Sequence, residues 1–257
     1  MRFAIITDIH EDIESLVAAF KQIEKLACDE IISLGDICGF SIPYYYKYYN
    51  TRNASECVKL VKANCKYSVI GNHDLYAIKK LPENIFSFDF PGDWYDITYY
   101  DRKNISNQKI WLYEENELTA LLDSDDIEYL NKLPEMSCIE TDELNLFISH
   151  YLYPDITGST TDFLFESSDF IKHHSFIKKN NSNICTFGHM HPNGILRINN
   201  KGMTADKKQI TNTDKIYGFS GPCITQNGRL NGFIVFDTKE KTITPHFLRK
   251  FKPDSLF

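Results

Sequence analysis

Five segments of the sequence place aspartate, asparagine or histidine directly after a short apolar run of strand type. The candidate metal ligands in these segments are Asp8, His10, Asp36, Asn72, His150, His189 and His191. Segments far apart in sequence can meet in space, because the sites of open α/β sheets lie beyond the carboxyl ends of the strands. Residues two apart on a strand point to the same face, so Asp8 and His10 can bind an ion from one side. The same holds for His189 and His191.

The donor atoms of these side chains are oxygens and imidazole nitrogens. Such a mixture favours Mn²⁺, iron or Zn²⁺, whereas Mg²⁺ and Ca²⁺ favour oxygen alone. Seven candidates suit two ions, provided that one aspartate bridges the ions and each ion keeps an open position. Two metal ions ~3.5–4 Å apart clamp the attacking and leaving oxygens of a phosphoryl displacement. The chemistry predicted from these residues is hydrolysis of a phosphate ester.

The elements that position these residues alternate between strand and helix in the first 70 residues. We predict strands at 3–7, 30–34 and 67–70, and helices at 13–26 and 55–64, the first helix capped by Asp12. The helices show apolar residues at helical spacing, and the strands are short apolar runs. This alternation indicates βαβ units and a largely parallel start to the sheet.

The later part of the sequence is less regular, and 75–109 shows no sustained period. Beyond it we predict helices at 108–112 and 125–133, the second capped by Ser124, and strands at 144–149 and 183–187. Segments 216–219, 232–236 and 242–248 are typical of antiparallel strands joined by polar turns. No interdomain linker is visible, and we predict one domain over residues 1–257.

The composition argues against some classes of partner. The chain has 257 residues, 42% of them hydrophobic, and a net charge of −7. It shows no basic stripe, which a duplex DNA-binding protein normally has because phosphate neutralisation supplies most of its affinity. No stretch approaches the ~20 apolar residues of a transmembrane helix, and the N-terminal apolar run is too short for a signal peptide. Seven cysteines form no C-x-x-C pair, so we expect reduced thiols in a cytoplasmic protein without a membrane partner.

The order of the motifs resembles the calcineurin-like metallophosphoesterases. The sequence carries D-x-H at Asp8, G-D-x-x-G at Gly35, G-N-H-D at Gly71, a lone histidine at His150 and G-H-x-H at Gly188. Within the family, it looks most like the small single-domain bacterial and archaeal phosphodiesterases. The resemblance implies a four-layer αββα sandwich with mixed sheets, in which the C-terminal antiparallel strands are expected to form part of the second sheet.

The resemblance also implies roles for individual residues. One metal ion would take Asp8, His10, Asp36 and His191, and the other would take Asp36, Asn72, His150 and His189, with Asp36 bridging. His73 would contact the phosphoryl oxygen or the leaving group, and Asp74 would orient it. The implied cofactors are two divalent transition metal ions, with Mn²⁺ favoured and iron, Zn²⁺ or Ni²⁺ as alternatives.

Two positions depart from the pattern of the family. Protein Ser/Thr phosphatases carry Asp-Arg soon after the G-D motif, whereas this chain has Ile37-Cys38-Gly39-Phe40. This difference argues against protein phosphatase activity. The small phosphodiesterases commonly have glycine after the lone metal histidine, and here the residue is Tyr151. The substrate pocket is therefore expected to differ from theirs.

The expected reaction is attack of a metal-activated hydroxide on phosphorus in a phosphodiester or a small phosphomonoester. The substrate would be a small phosphorylated molecule, with nucleotides among the candidates. The alternatives are a nucleotide phosphatase or pyrophosphatase, a nuclease, and a catalytically inactive binding scaffold, as in the retromer subunit that resembles this family. Scaffolds tend to lose metal histidines, and here every ligand position is filled.

Several further residues have two interpretations. Tyr44, in the aromatic run 44–49, and Arg52 are candidate contacts to a substrate base and phosphate, although packing under the loop is the favoured role of the aromatic run. His173 and His174 are predicted to lie on a solvated helix surface. His246 is predicted to be structural.

Overall fold

A computed structural model of the chain describes residues 1–248 and contains two six-stranded sheets. The strands are β1 (Arg2–Ile6), β2 (Glu30–Ser33), β3 (Phe40–Ser41), β4 (Tyr67–Ser68), β5 (Glu117–Leu118), β6 (Met136–Glu140), β7 (Asn145–Ser149), β8 (Ile184–Thr186), β9 (Ile195–Asn199), β10 (Gly202–Asp206), β11 (Ile210–Thr211), β12 (Gly218–Ser220), β13 (Gly232–Asp237) and β14 (Thr242–Phe247). The prediction of one domain over 1–257 stays a prediction, and its last nine residues lie outside the described residues.

The helices connect the strands and cover the outer faces of the sheets. They are α1 (Ile13–Ile23), α2 (Ile42–Tyr45), α3 (Ala54–Asn64), α4 (Asn72–Ala77), α5 (Tyr99–Ser106), α6 (Ser124–Lys132) and α7 (Ser167–Lys179), with a 3-10 helix at Tyr46–Thr51. Asp12 caps α1 as predicted, because its side chain accepts a hydrogen bond from the amide of Ser15. Among the described residues, no helix is long and apolar enough to cross a membrane.

Each large sheet contains three adjacent parallel strands and three further strands in antiparallel pairing. The first sheet has the order β11-β14-β13-β1-β2-β4, in which β1, β2 and β4 are parallel. The second has the order β10-β9-β12-β8-β7-β6, in which β7, β8 and β12 are parallel. A two-stranded sheet pairs β3 with β5. Five of these six parallel strands, all except β12, therefore end shortly before a candidate ligand.

The alternation of side chains along β1 shows how the layers stack. Phe3 and Ile5 pack between the two sheets, whereas Ala4 and Ile6 pack against helices on the outer face of the first sheet. The second sheet is covered by α7, whose Phe170 is fully buried against it. Strands buried on both faces read as continuous apolar runs, as β1 does. The order helix, sheet, sheet, helix confirms the predicted αββα sandwich with mixed sheets.

The predicted sheet membership of the C-terminal strands is correct for β12 and wrong for β13 and β14. Strands β13 and β14 are antiparallel as expected, but they join the first sheet, where β13 pairs with β1. Strand β12 lies in the second sheet and runs parallel to β8. Apolar periodicity marks a strand and its buried faces but does not identify the neighbouring strand.

Two predictions about helices also need correction. Residues 108–112 lie outside helices, and Ile110 pairs with Thr160 in an isolated bridge. The helix of that region is α5, which begins after Thr98. Asp123, and not Ser124, caps α6, since Asp123 and Asp126 exchange hydrogen bonds between side chain and backbone amide. Ser124 is the first residue within that helix.

His173 is fully buried, contrary to its predicted place on a solvated surface. Its Nδ1 accepts a hydrogen bond from the amide of Tyr153 at 3.0 Å, and its Nε2 lies 3.1 Å from Sγ of Cys185. Burial lowers the pKa of His173 to about 3, so the ring is neutral. His174 is half-buried and stacks on Tyr217 with 3.6 Å between ring centroids. Both rings help to fix α7 on the second sheet.

Phe219 tests the packing between the sheets. Its ring is fully buried, with its centroid 5.0 Å from that of Phe236. We expect Phe219→Ala to lower the free energy of unfolding by ~3–5 kcal/mol, since it removes an aromatic ring from a packed core. Urea unfolding measures this, with Tyr100→Ala as control, because Tyr100 is 75% exposed. Equal losses in both variants would contradict the assigned core.

Candidate metal centre

The candidate ligands lie where the chain leaves the strands in an unusual backbone conformation. Positive φ angles occur at Asp8 (53°), His10 (45°), Asp36 (52°), His189 (64°) and His191 (43°). For residues with a Cβ atom this region costs on the order of 1–3 kcal/mol each and persists only where the surroundings fix it. Strain concentrated at five of the seven candidates is typical of a functional site.

Backbone hydrogen bonds join the first two strand ends. The carbonyl of Asp36 accepts from the amides of Ile9 and His10, at 2.8 and 3.0 Å, and the amide of Asp8 donates to Gly35 at 3.1 Å. From the second sheet, the amide of His189 lies 3.0 Å from Oδ2 of Asp8. The two sheets are therefore connected at the carboxylate of Asp8.

Glycines allow the strand ends to approach closely. A Cβ atom on Gly188 would lie 2.0 Å from Oγ1 of Thr7 and 2.9 Å from Oδ2 of Asp8. A Cβ atom on Gly71 would lie 2.2 Å from Oδ1 of Asp36. Any larger residue at these positions would push the candidate ligands apart.

The structure brings six of the seven candidates into two groups that could each hold a metal ion. One consists of Asp8, His10 and His191, the other of Asp36, His150 and His189, with ligand atoms within 4.8 Å of one another in each. Oδ2 of Asp36 is 3.0 Å from Nε2 of His150 and 3.9 Å from Nε2 of His10. The carboxylate of Asp36 thus lies between the two groups.

Asn72, the seventh candidate, has a buried oxygen with no partner. Its Nδ2 donates to the hydroxyl of Tyr113 at 2.6 Å, and its Oδ1 makes no hydrogen bond. Nε2 of His150 is also buried without a well-formed hydrogen bond, although Nδ1 donates to the carbonyl of Leu34 at 2.7 Å. Buried polar atoms without partners are rare. Both atoms are thus available to bind an ion at the group that contains Asp36.

The electrostatics of the site favour the metal-binding protonation states of Asp8, Asp36 and His10. Burial tends to raise the pKa of Asp8, but the His191 and His150 imidazoles hold it well below its usual range. The pKa of Asp36 is likewise lowered against the effect of burial, chiefly by His150. Burial lowers the pKa of His10 to about 3. Ionised carboxylates and neutral imidazoles are the forms that bind metal ions. Against the effect of burial, Asp36 raises the pKa of His150 to about 9 and Asp8 raises the pKa of His191, so these two imidazoles would release a proton when a metal ion binds.

His73 lies at the site, but Glu117 and not Asp74 orients it. Nδ1 of His73 donates to Oε2 of Glu117 at 2.5 Å, and the Glu117 side chain is 3% exposed. The Asp74 carboxylate instead accepts from the amides of Cys38 and Gly71, and burial raises its pKa to about 7. These contacts do not support the predicted role of Asp74 in orienting His73.

Sequence reasoning missed Glu117 because no motif surrounds it. It reaches His73 through the pairing of β5 with β3, which places Glu117 opposite Ser41. Burial opposes a charge on His73, but Glu117 and Asp36 raise its pKa to about 9. The Glu117 carboxylate thus holds the His73 ring at one nitrogen and favours its protonated form.

A cavity of about 470 Å³ opens over the candidate ligands. Its walls include Tyr44, which is 71% exposed at the rim, and the rings of Trp111, Tyr113 and Phe163. This volume is in the range of pockets that bind small organic molecules. The site can therefore accommodate more than a phosphoryl group.

Arg52 does not line the cavity, and its predicted contact with a substrate phosphate is not supported. Its guanidinium pairs with the buried carboxylate of Glu11 and donates to the carbonyl of Thr119. Glu11 in turn accepts from the amide of Gly39, whose carbonyl accepts from Nδ1 of His10 at 2.8 Å. Arg52 thus supports the loop that orients His10.

Comparisons with known proteins agree with this geometry. Residues 1–193 match the family model described as calcineurin-like phosphoesterase. An uncharacterized protein of Methanocaldococcus jannaschii is 37% identical over 78 residues, which are 30% of this chain and 28% of that protein. The match thus covers less than a third of the length of that relative.

Solved structures of similar fold cover nearly the whole chain. A metallophosphoesterase from Sphaerobacter thermophilus has a TM-score of 0.63 at 21% identity, covering 99% of this chain and 91% of its own. A hypothetical protein from Pyrococcus horikoshii has a TM-score of 0.58 at 13% identity, covering 98% and 89%. These identities support the fold alone. Because the family model matches three quarters of the sequence, including all the candidate ligands, the chain belongs to the calcineurin-like phosphoesterases.

Proposed function

We propose that the chain is a two-metal phosphoesterase that hydrolyses phosphodiesters or small phosphomonoesters. The observation that carries the proposal is the position of the Asp36 carboxylate between the two groups of candidate ligands. A carboxylate with two oxygens can bind one ion on each side. Two ions that share a bridging ligand are the arrangement used for phosphoryl displacement.

The proposed ligands of the first ion are Asp8, His10, Asp36 and His191, and those of the second are Asp36, Asn72, His150 and His189. The unpartnered Oδ1 of Asn72 and Nε2 of His150 support the second set. The mixed oxygen and imidazole donors favour Mn²⁺, with iron, Zn²⁺ and Ni²⁺ as alternatives. When bound, such ions lower the pKa of water towards ~7 and neutralise charge on phosphoryl oxygens.

His73 is the proposed proton donor to the leaving oxygen. Glu117 holds Nδ1 of His73, so Nε2 is the ring nitrogen left to face a substrate in the cavity. Glu117 also favours the protonated ring, because its carboxylate lies next to the imidazole. A positioned acid of this kind typically contributes ~10²–10⁴-fold to the rate.

The charge of the cavity favours a small substrate over a polyanion. Among the described residues that line it, Arg229 is the one lysine or arginine. A nuclease or a pyrophosphatase would contact several phosphates, for which basic side chains are the usual partners. An inactive scaffold would have no need for a complete ligand set, nor for a buried glutamate that positions His73.

Metal content tests the ligand set. We expect the purified protein, reconstituted with Mn²⁺ and dialysed, to retain two ions per chain by elemental analysis. Gly188→Ala should lower metal affinity by at least about tenfold, because the new Cβ would meet Thr7 and Asp8. Gly92→Ala is the matched control, since a Cβ there meets no atom within 4 Å. One ion or none in the wild type would refute the two-metal site.

Asp36→Asn tests the bridge. A neutral amide bridges two cations poorly, so we expect a loss of activity on the order of a thousandfold or more. The measurement is kcat/KM on bis(p-nitrophenyl) phosphate with Mn²⁺. Asp142→Asn, at an exposed turn between β6 and β7, should retain wild-type activity. If His150→Ala proves far more damaging than Asp36→Asn, Asp36 is not the bridging ligand.

Glu117→Gln tests the positioning of His73. We expect both metal ions to stay bound, and the rate to fall ~10–100-fold more on esters with an alkoxide leaving group than on p-nitrophenyl esters. A poor leaving group needs the proton that His73 supplies, whereas p-nitrophenolate does not. His73→Ala should show the same selectivity, and the double variant should lose little more. Glu115→Gln is the control, since Glu115 is exposed and pairs with Lys103. Equal losses on both esters would remove the proposed role.

A further inference from the structure

Two aromatic side chains stand over the candidate metal centre, and neither has a role in the proposed chemistry. Trp111 and Phe163, here called the aromatic wall, line the same cavity as His189. Their exposed fractions are 37% and 39%, and their ring centroids lie 6.4 Å apart at an interplanar angle of 67°. Large apolar surface is thus left open beside the place where phosphorus would bind.

Hydrogen bonds between two connecting segments fix the wall. The amide of Trp111 donates to Ser159 at 3.1 Å, and the amide of Thr161 donates to Lys109 at 2.9 Å. The buried Asp155 carboxylate accepts from the amides of residues 157, 158 and 160. The backbone on either side of the wall is therefore held in place before any ligand binds, which lowers the entropic cost of binding.

Tyr151, which stands where the related phosphodiesterases commonly have glycine, supports Phe163. Its buried hydroxyl accepts from the amide of Leu164 at 2.8 Å, and its ring centroid lies 4.7 Å from that of His189. Phe163 stacks on His189 at 5.4 Å with an interplanar angle of 24°. Tyr151 therefore fills the space behind His189 that a glycine would leave open, and it places the Phe163 ring on the cavity side of that histidine.

The scarcity of basic side chains in the cavity limits the kind of group that can bind to the aromatic wall. Arg229, the one lysine or arginine among the described lining residues, donates to the carbonyl of His191. A second phosphoryl group would thus find few cationic partners. Aromatic side chains stack on flat rings, and nucleobases are bound in this way irrespective of their sequence.

Resting on the proposed phosphoesterase function, we propose that Trp111 and Phe163 bind a flat, uncharged aromatic group of nucleobase type. The substrate class is a phosphate ester that carries one phosphoryl group at the metal ions and such a ring on the wall. Trp111 and Phe163 then determine specificity, and Tyr151 is a positioning residue for Phe163.

Trp111 itself can report on binding. The chain has two tryptophans, and Trp94 is 3% exposed and does not line this cavity. In the Mn²⁺-loaded Trp94→Phe variant, we expect adenosine 5′-monophosphate to quench the fluorescence saturably. Ribose 5-phosphate, which has the same phosphate and no base, should not. Calorimetry on the wild-type protein gives the same comparison if that variant does not fold.

Affinities of the two probes test the wall directly. We expect Trp111→Ala to weaken binding of adenosine 5′-monophosphate ~10–100-fold, and to change binding of ribose 5-phosphate less than twofold. Phe163→Leu should act in the same direction. Tyr100→Ala, at an exposed aromatic residue outside the cavity, should change neither affinity. Equal binding of both probes to the wild type, or loss of the preference for the base in Tyr44→Ala but not in Trp111→Ala, would overturn the proposal.

Binding and turnover separate this proposal from the proposed function. If the metal-loaded protein hydrolyses simple phosphate esters but shows no preference for the base, the wall is refuted and the phosphoesterase stands. If it hydrolyses no phosphate ester yet prefers the base, the phosphoesterase is refuted, whereas the assignment of Trp111 and Phe163 as the base-binding surface is supported.

Discussion

Two buried carboxylates at the junction of the sheets are the constraint on which the rest of the site depends. Asp8 and Asp36 are almost fully buried, and burial tends to raise the pKa of both carboxyl groups, although the neighbouring histidines lower both pKa values overall. Uncompensated buried charges are costly, and they persist only with cationic partners and hydrogen bonds. The imidazoles of His150 and His191 supply part of this compensation at 3.0 Å. Divalent cations between the carboxylates would supply the rest, which is why the same residues favour metal binding.

The four-layer fold makes this junction tolerable. Parallel strands of both sheets end at one edge, so the ligands come from strand ends while the core between the sheets stays apolar. Positive φ at five ligand positions costs on the order of 1–3 kcal/mol each. Packing of both faces of β1 and hydrogen bonds across the strand ends offset that cost. Packing of the sheets thus supplies the stability of the fold, whereas backbone strain is concentrated at the site, as in other preorganised centres.

The sequence was sufficient to identify the candidate ligands, because each closely follows a strand and all of them except His150 lie in a short motif. Strand polarity alone brings Asp8 and Asp36 to one edge, since parallel strands share their carboxyl ends. Glu117 could not be found in this way, because its contact with His73 depends on the pairing of β3 with β5. His173 looked solvated because its polar ring finds partners only in the folded chain. The positive charge of Arg52 is suited to binding phosphate, but its guanidinium is already paired with the buried carboxylate of Glu11.

One connecting segment links the chemistry of the site to its selectivity. Trp111 belongs to the aromatic wall, Tyr113 accepts from Nδ2 of Asn72, and Glu117 holds Nδ1 of His73. Three positions within seven residues thus contact the proposed substrate group, a candidate metal ligand and the proposed proton donor. Because this segment is fixed by backbone pairing with residues 159–161, a ring bound on the wall would be held in a fixed position relative to the partners of Asn72 and His73. Binding energy from a group remote from phosphorus can then align the reacting groups, and this coupling is how remote contacts raise kcat rather than only lower KM.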